Sequence, residues 1–133
     1  EMQWRILQQK KPEDYVISTG QQFSVREFLI LVCKELGIDL TFKYKGLDEI
    51  GVVKQVTGTK APFVKQDDII VKIDKKYFRP TEVDSLLGDS SKAKKNLGWS
   101  PEITLQELVS DMVQADLKIA TEKAFLKKNK VNY

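Results

Sequence analysis

The tetrad Ser24-Val25-Arg26-Glu27 constrains this chain more than any other feature. A serine followed three residues later by a glutamate is a capping box, in which each side chain satisfies a backbone N–H that the first helical turn leaves open. Val25, Phe28, Leu29, Val32, Cys33 and Leu36 then recur at the spacing of one helical face, and Gly37 supplies the residue that leaves the helix. This predicts a helix over 25–36, with Ile30 and Leu31 adding apolar area elsewhere around the cylinder, so that it touches more than one neighbour. Thr104-Leu105-Gln106-Glu107 repeats the device, followed by Leu105, Leu108, Val109, Met112, Val113 and Leu117 on one face. A long final helix is expected, running through Ala120 and Ala124 into a basic tail.

A brief helix over 90–97 is expected between these two, capped by Asp89 or Ser90 and ended at Gly98, with Trp99 placed to pack back on it and Pro101 preventing its resumption. Residues 1–10 have helical character through Met2, Ile6 and Leu7 and stop before Pro12; no capping residue precedes them, so the chain is expected to start inside a helix. Asp14-Tyr15-Val16-Ile17-Ser18-Thr19, closed by Gly20, suits a strand buried on both faces. Leu40 to Tyr44 alternates as a half-buried strand, and Ile69-Ile70-Val71-Lys72-Ile73 is a second. The stretch 46–68 between them has glycines, a proline and little periodicity, and it is long for an unstructured connection. It is expected near a ligand or a neighbouring subunit; its Lys54 and Lys60 either reach a phosphate or stand as solvated surface lysines.

With 133 residues, 41% hydrophobic and 31% charged, one folded domain with a core is expected. The longest apolar run, Phe28 to Cys33, is far short of the roughly 18 residues of a membrane span, and the opening Glu1-Met2-Gln3-Trp4-Arg5 is not a signal peptide. The single cysteine, Cys33, forms no internal disulfide and suits a reducing cytoplasm. Net charge is only +3 with acids and bases interleaved, and Lys92 to Lys95 and Lys127-Lys128-Asn129-Lys130 read as a solvated helix face and tail rather than a nucleic-acid footprint.

No histidine is present to act as an imidazole base or zinc ligand, and one thiol makes no metal cluster. Neither the dinucleotide nor the nucleoside-triphosphate glycine loop occurs; Thr57-Gly58-Thr59-Lys60 only echoes the latter. Asp67-Asp68 and Asp48-Glu49 have no glycine-turn framework for a divalent ion and read as solvated acids. One ligand-like turn remains, Tyr77-Phe78-Arg79-Pro80-Thr81-Glu82-Val83-Asp84. Arg79 offers planar paired donors to a diphosphate, and Glu82 can accept both hydroxyls of a ribose; the other reading is that the two neutralise each other on a surface turn. A ligand turn without catalytic groups suits the substrate-binding part of something larger.

Read in order, Lys11-Pro12-Glu13-Asp14-Tyr15-Val16-Ile17-Ser18-Thr19-Gly20, Ser24-Val25-Arg26-Glu27-Phe28, the Arg79 turn, Leu86-Leu87-Gly88-Asp89, Lys92-Ala93-Lys94 and Leu97-Gly98-Trp99 closely resemble the C-terminal portion of the GDP-mannose 4,6-dehydratases. Those enzymes are extended short-chain dehydrogenase/reductases, with an N-terminal Rossmann half for NADP and a smaller C-terminal lobe for the nucleotide sugar. The resemblance implies an α/β fold: residues 1–20 a remnant helix and strand of the Rossmann domain, residues 21–133 the nucleotide-sugar-binding C-terminal lobe. It implies a lyase that converts GDP-mannose to GDP-4-keto-6-deoxymannose, with Arg79 on the diphosphate and Glu82 on the ribose. The family's catalytic groups and its NADP loop have no counterpart here, so these residues alone are expected to be inactive and to bind no cofactor. Expected partners are GDP-mannose and the missing Rossmann half, in the cytoplasm, without nucleic acid or membrane. An orphan strand exposes an apolar patch and makes a homo-oligomer a further expectation. Two other readings stand beside this one: the lobe of a related nucleotide-sugar epimerase, dehydratase or reductase, and a non-enzymatic binding module.

Overall fold

The computed structural model describes residues 1–79 and 86–129. Its elements run α1 (Met2–Leu7), α2 (Val25–Glu35), β1 (Ile38–Lys43), β2 (Ile50–Val56), β3 (Ile69–Lys72), α3 (Ser91–Leu97) and α4 (Leu105–Lys128), with 3-10 turns at Gly46–Asp48 and Lys75–Tyr77. The strands form one antiparallel sheet in the order β1-β2-β3, so the architecture is mixed α/β as expected. By contacts the chain divides into two compact units, Val25–Pro80 with Leu105–Tyr133, and Glu1–Ser24 with Thr81–Thr104. That grouping is internal to the chain, whereas the boundary expected at residue 20 divides a larger enzyme between its domains.

In the sheet-bearing unit, α2 begins directly after Ser24 and α4 directly after Thr104, where the two capping boxes place them. The chain leaves α2 through Gly37, at φ +77, and turns at once into β1. Only glycine fits there: a Cβ would stand 2.0 Å from the carbonyl oxygen of Thr57, whose N–H donates to the Gly37 carbonyl at 2.7 Å. The core gathers Cys33 of α2, Ile38 of β1 and Val53 of β2, with Leu36, Leu40, Val56, Ala61 and Val64 packed around them. Burial pushes the Cys33 thiol up from its ordinary pKa, which keeps it a small apolar filler.

The structure corrects the expectation of an unstructured connection over 46–68: that stretch contains β2, the central strand. Val52 and Val53 are 4% and 0% exposed, so β2 is covered on both faces and loses the alternation by which a half-buried strand is recognised. Its pairing with β1 adds a bulge, since Asp39 and Leu40 lie opposite Gln55 and Val53 and leave Lys54 of β2 over, which further breaks its period. Both strands expected from the sequence pair with β2, Leu40 opposite Val53 and Val71 opposite Gly51. Helix α4 is as long as predicted, yet it buries only Val109 and Val113, while Leu108 and Met112 remain 46% and 44% exposed. An i, i+4 pair is the narrow seam that packing against one neighbour, α2, requires.

The second unit is built around α1 and α3. α1 has no side-chain cap, as expected, and ends at Leu7. The strand expected at residues 14–19 is absent: the segment is extended but belongs to no sheet, and Val16 and Ile17 are 52% and 42% exposed. Strand-forming side chains make a strand only where another strand takes up the backbone groups, and none does so here among the described residues. The segment is instead tied down by side chains. Ser18 Oγ donates to the Gly88 carbonyl at 2.7 Å, and Lys92 Nζ donates to the Asp14 carbonyl at 3.0 Å, pairs with Glu13 Oε2 at 3.0 Å and lies 4.8 Å from the Tyr15 ring centre.

Of the two expected caps of α3, Asp89 supplies the side-chain hydrogen bond and Ser90 none. Asp89 Oδ1 accepts the Ser91 N–H at 2.9 Å, and hydrogen bonds from the Ser91 side chain and then its backbone hold the Asp89 carboxyl below the usual carboxylate range. At the other end Gly98 takes the left-handed conformation, φ +60, and Arg5 Nη1 donates to the carbonyls of Leu97 at 2.8 Å and Gly98 at 3.1 Å. A guanidinium on the last carbonyls both satisfies open acceptors and meets the negative end of the helix dipole.

Candidate functional site

The ligand turn anticipated around Arg79 leaves the sheet from the end of β3. Lys72, the last residue of β3, is opposite Ile50 of β2, and the chain then forms the 3-10 turn Lys75–Tyr77. Asp74 organises this turn: its Oδ1 accepts the Lys76 N–H at 2.9 Å and its carbonyl accepts the Tyr77 N–H at 3.0 Å. Lys76 Nζ sits 5.5 Å from the Tyr77 ring centre. Phe78 returns to an extended conformation, and Arg79 follows, exposed, its backbone limited further by the proline after it. Among the described residues Arg79 has no acidic side chain within ion-pair distance. Glu82, the other residue singled out from the sequence, lies outside the described residues.

Lys54 and Lys60, the two loop lysines that could have reached a phosphate, are committed elsewhere. Lys54 Nζ stands 3.7 Å from Asp39 Oδ2 on the neighbouring strand, and Lys60 Nζ donates to the Glu35 carbonyl at 3.0 Å and to its carboxylate at 3.2 Å. The Lys60 bonds place a cation on the C-terminal turn of α2, a structural use. Arg26 is likewise engaged: it pairs with Glu49, 17% exposed, and its guanidinium carbon lies 5.0 Å from the Phe42 ring centre.

The motifs flanking the Arg79 turn hold backbone rather than present reactive groups. Gly88 packs against Ser18 so closely that a Cβ would stand 2.9 Å from the Ser18 Cβ, Asp89 caps α3, and Lys92 anchors residues 13–15. Among the described residues no group of three or more Cys, Asp or Glu side chains could hold a metal ion. No described helix is long and apolar enough to cross a membrane.

The fold is thus a small mixed α/β unit with an exposed arginine just past β3 and, among its described residues, no metal-holding group. The chain belongs to the GDP-mannose 4,6-dehydratase family, whose model matches residues 1–112. Its relatives include a GDP-mannose 4,6-dehydratase of Vibrio cholerae serotype O1, 60% identical over 131 residues, which cover 98% of this chain and 35% of that protein. GDP-mannose 4,6 dehydratase 2 of Caenorhabditis elegans is 48% identical over 120 residues, covering 90% of this chain and 28% of that protein. The Homo sapiens GDP-mannose 4,6 dehydratase is 41% identical over 119 residues, covering 90% and 29%. The chain thus spans about a third of the length of the curated relatives it matches.

Proposed function

We propose that this chain is the nucleotide-sugar-binding lobe of a GDP-mannose 4,6-dehydratase, residues 21–133 forming the lobe and residues 1–20 belonging with the NADP-binding Rossmann part of that enzyme. The net reaction removes one water from GDP-mannose and leaves GDP-4-keto-6-deoxymannose. In it Arg79 holds the diphosphate through planar paired N–H donors, and Glu82 accepts from the ribose hydroxyls. Both hold the substrate by parts that do not react, which fixes the hexose against groups outside these residues. Family membership together with an exposed Arg79 just past the Lys75–Tyr77 turn, lacking an acidic partner among the described residues, carries this reading.

NADP does not fit the residues at hand. No strand precedes α2 or α4 in the strand-to-helix turn that a dinucleotide's pyrophosphate needs, and the chain has no Gly-x-Gly. No step of the hydride chemistry is assigned to this chain, and residues 14–19 become a strand only beside the sheet neighbours of the complete enzyme.

Calorimetric titration with GDP-mannose, with a UDP-sugar as control, tests the assignment. Arg79→Ala is expected to lower the affinity for GDP-mannose by about 1.5–3 kcal/mol, the worth of hydrogen bonds to a charged group. Unchanged binding by the variant, or equal binding of both sugars, would discard it.

A further inference from the structure

The sheet end from which Arg79 departs carries two more cations that sequence reading passed over. Lys43, the last residue of β1, and Lys72, the last residue of β3, are both directly opposite Ile50 of β2. Residues directly opposite in an antiparallel ladder point to the same face, so the two lysines flank Ile50 on one side of the sheet, rooted two strand spacings, about 10 Å, apart. Their four-carbon arms can bring both ammonium groups over the half-buried Ile50 to one diphosphate.

The other exposed lysines of comparable position are neutralised: Lys54 by Asp39, Lys60 by Glu35 and Lys92 by Glu13. Lys43 and Lys72 have no such partner among the described residues. Among the described residues, the connections at the same sheet end add Lys45, Lys75, Lys76 and Arg79 to these two lysines, against the carboxylates of Asp48 and Asp74 once Arg26 and Glu49 have paired. The described residues at this sheet end thus carry more cations than acids where Arg79 leaves the sheet.

The geometry points to a second phosphate-binding element, the Lys43–Lys72 pair across Ile50, which captures the diphosphate of a nucleoside diphosphate derivative together with Arg79. It rests on the nucleotide-sugar reading and adds to it two residues and a surface. Neither lysine lies on the Arg79 turn, and neither contributes to the core, so both can be changed without touching either.

Calorimetry on the 133-residue chain at low salt, with inorganic pyrophosphate and separately with GDP-mannose, tests the pair. Lys43→Gln/Lys72→Gln is expected to weaken both ligands about tenfold, whereas Lys118→Gln/Lys123→Gln on α4, which removes the same charge, changes them less than about twofold. Equal loss in the two double variants, or no pyrophosphate binding by the unaltered chain, overturns the pair. Weaker GDP-mannose binding in Arg79→Ala but not in the Lys43/Lys72 variant also overturns it while sparing the nucleotide-sugar reading. Weaker pyrophosphate binding in the Lys43/Lys72 variant, with GDP-mannose indifferent to Arg79→Ala, sustains the lysine element and removes Arg79 from the site.

Discussion

In the sheet-bearing unit the fully buried positions are apolar and come from four elements: Cys33 on α2, Ile38 on β1, Val52 and Val53 on β2, Val109 and Val113 on α4. The unit of α1 and α3 buries only Ala93, Leu97 and Ser90 among its described residues. What holds the latter is a set of side-chain donors on distant carbonyls: Arg5 on Leu97 and Gly98, Ser18 on Gly88, Lys92 on Asp14. Apolar burial is non-directional and adds up over area, while each of these hydrogen bonds nets only about 1 kcal/mol and depends on one geometry. The first unit can thus carry a binding surface on its rim. The second depends on a few named atoms.

The sharpest way to break the sheet unit is at Gly37. Gly37→Ala sets a methyl 2.0 Å from the Thr57 carbonyl oxygen at a φ of +77, so backbone must move and the paired Thr57 N–H bond is lost. A destabilisation of roughly 3 kcal/mol or more is expected from strain and the lost bond together, read as a shift in urea midpoint. A change below about 1 kcal/mol would mean that the α2–β1 corner is looser than the contact implies.

Arg5→Ala is the corresponding change in the other unit, and its effect is expected to be smaller, about 1–2 kcal/mol, since the guanidinium's two bonds to α3 are only partly shielded. Amide hydrogen exchange is the decisive reading because it reports each region separately. Faster exchange confined to α1 and α3 supports two separate modes of stabilisation. Equal acceleration in β1 and β2 would show that the units open together and that the contrast between them is not energetic.

Helices were legible because their ends are chemically marked: capping boxes before Val25 and Leu105, and glycines at 37 and 98 in the left-handed conformation. β2 escaped because a central strand shows no alternation, and Gly51 within it resembles punctuation for a loop; its Cβ position is in fact filled by Val71, 2.8 Å away. The reverse error at residues 14–19 has the same root. Strand formation depends on partners that a local reading does not contain. Arg79 stood out in the sequence as a guanidinium beside a proline, while the role proposed for it came from the family resemblance. Lys43 and Lys72 did not stand out, because only the register through the unseen β2 places them across the same isoleucine.

The smallest expected effect concerns the start of α3. Asp89 is held ionised chiefly by the Ser91 side chain and then by the Ser91 N–H, so its folded pKa lies below its ordinary value of 3.8. A carboxyl with a depressed folded pKa contributes its full stabilisation above the unfolded value and loses it as the pH falls through the folded one. Acidification past 3.8 should therefore fray α3 from its first turn, seen as faster exchange at Ser91 to Lys94 before the sheet amides respond. Asp89→Asn keeps an acceptor for the Ser91 N–H without a titrating group, so its α3 should lack that acid dependence. Ser91→Ala, by removing the larger of the two hydrogen bonds, should let the Asp89 carboxyl return toward its ordinary pKa. An Asp89 carbon resonance that titrates at the ordinary value in the unaltered chain would show that the cap does not hold its charge.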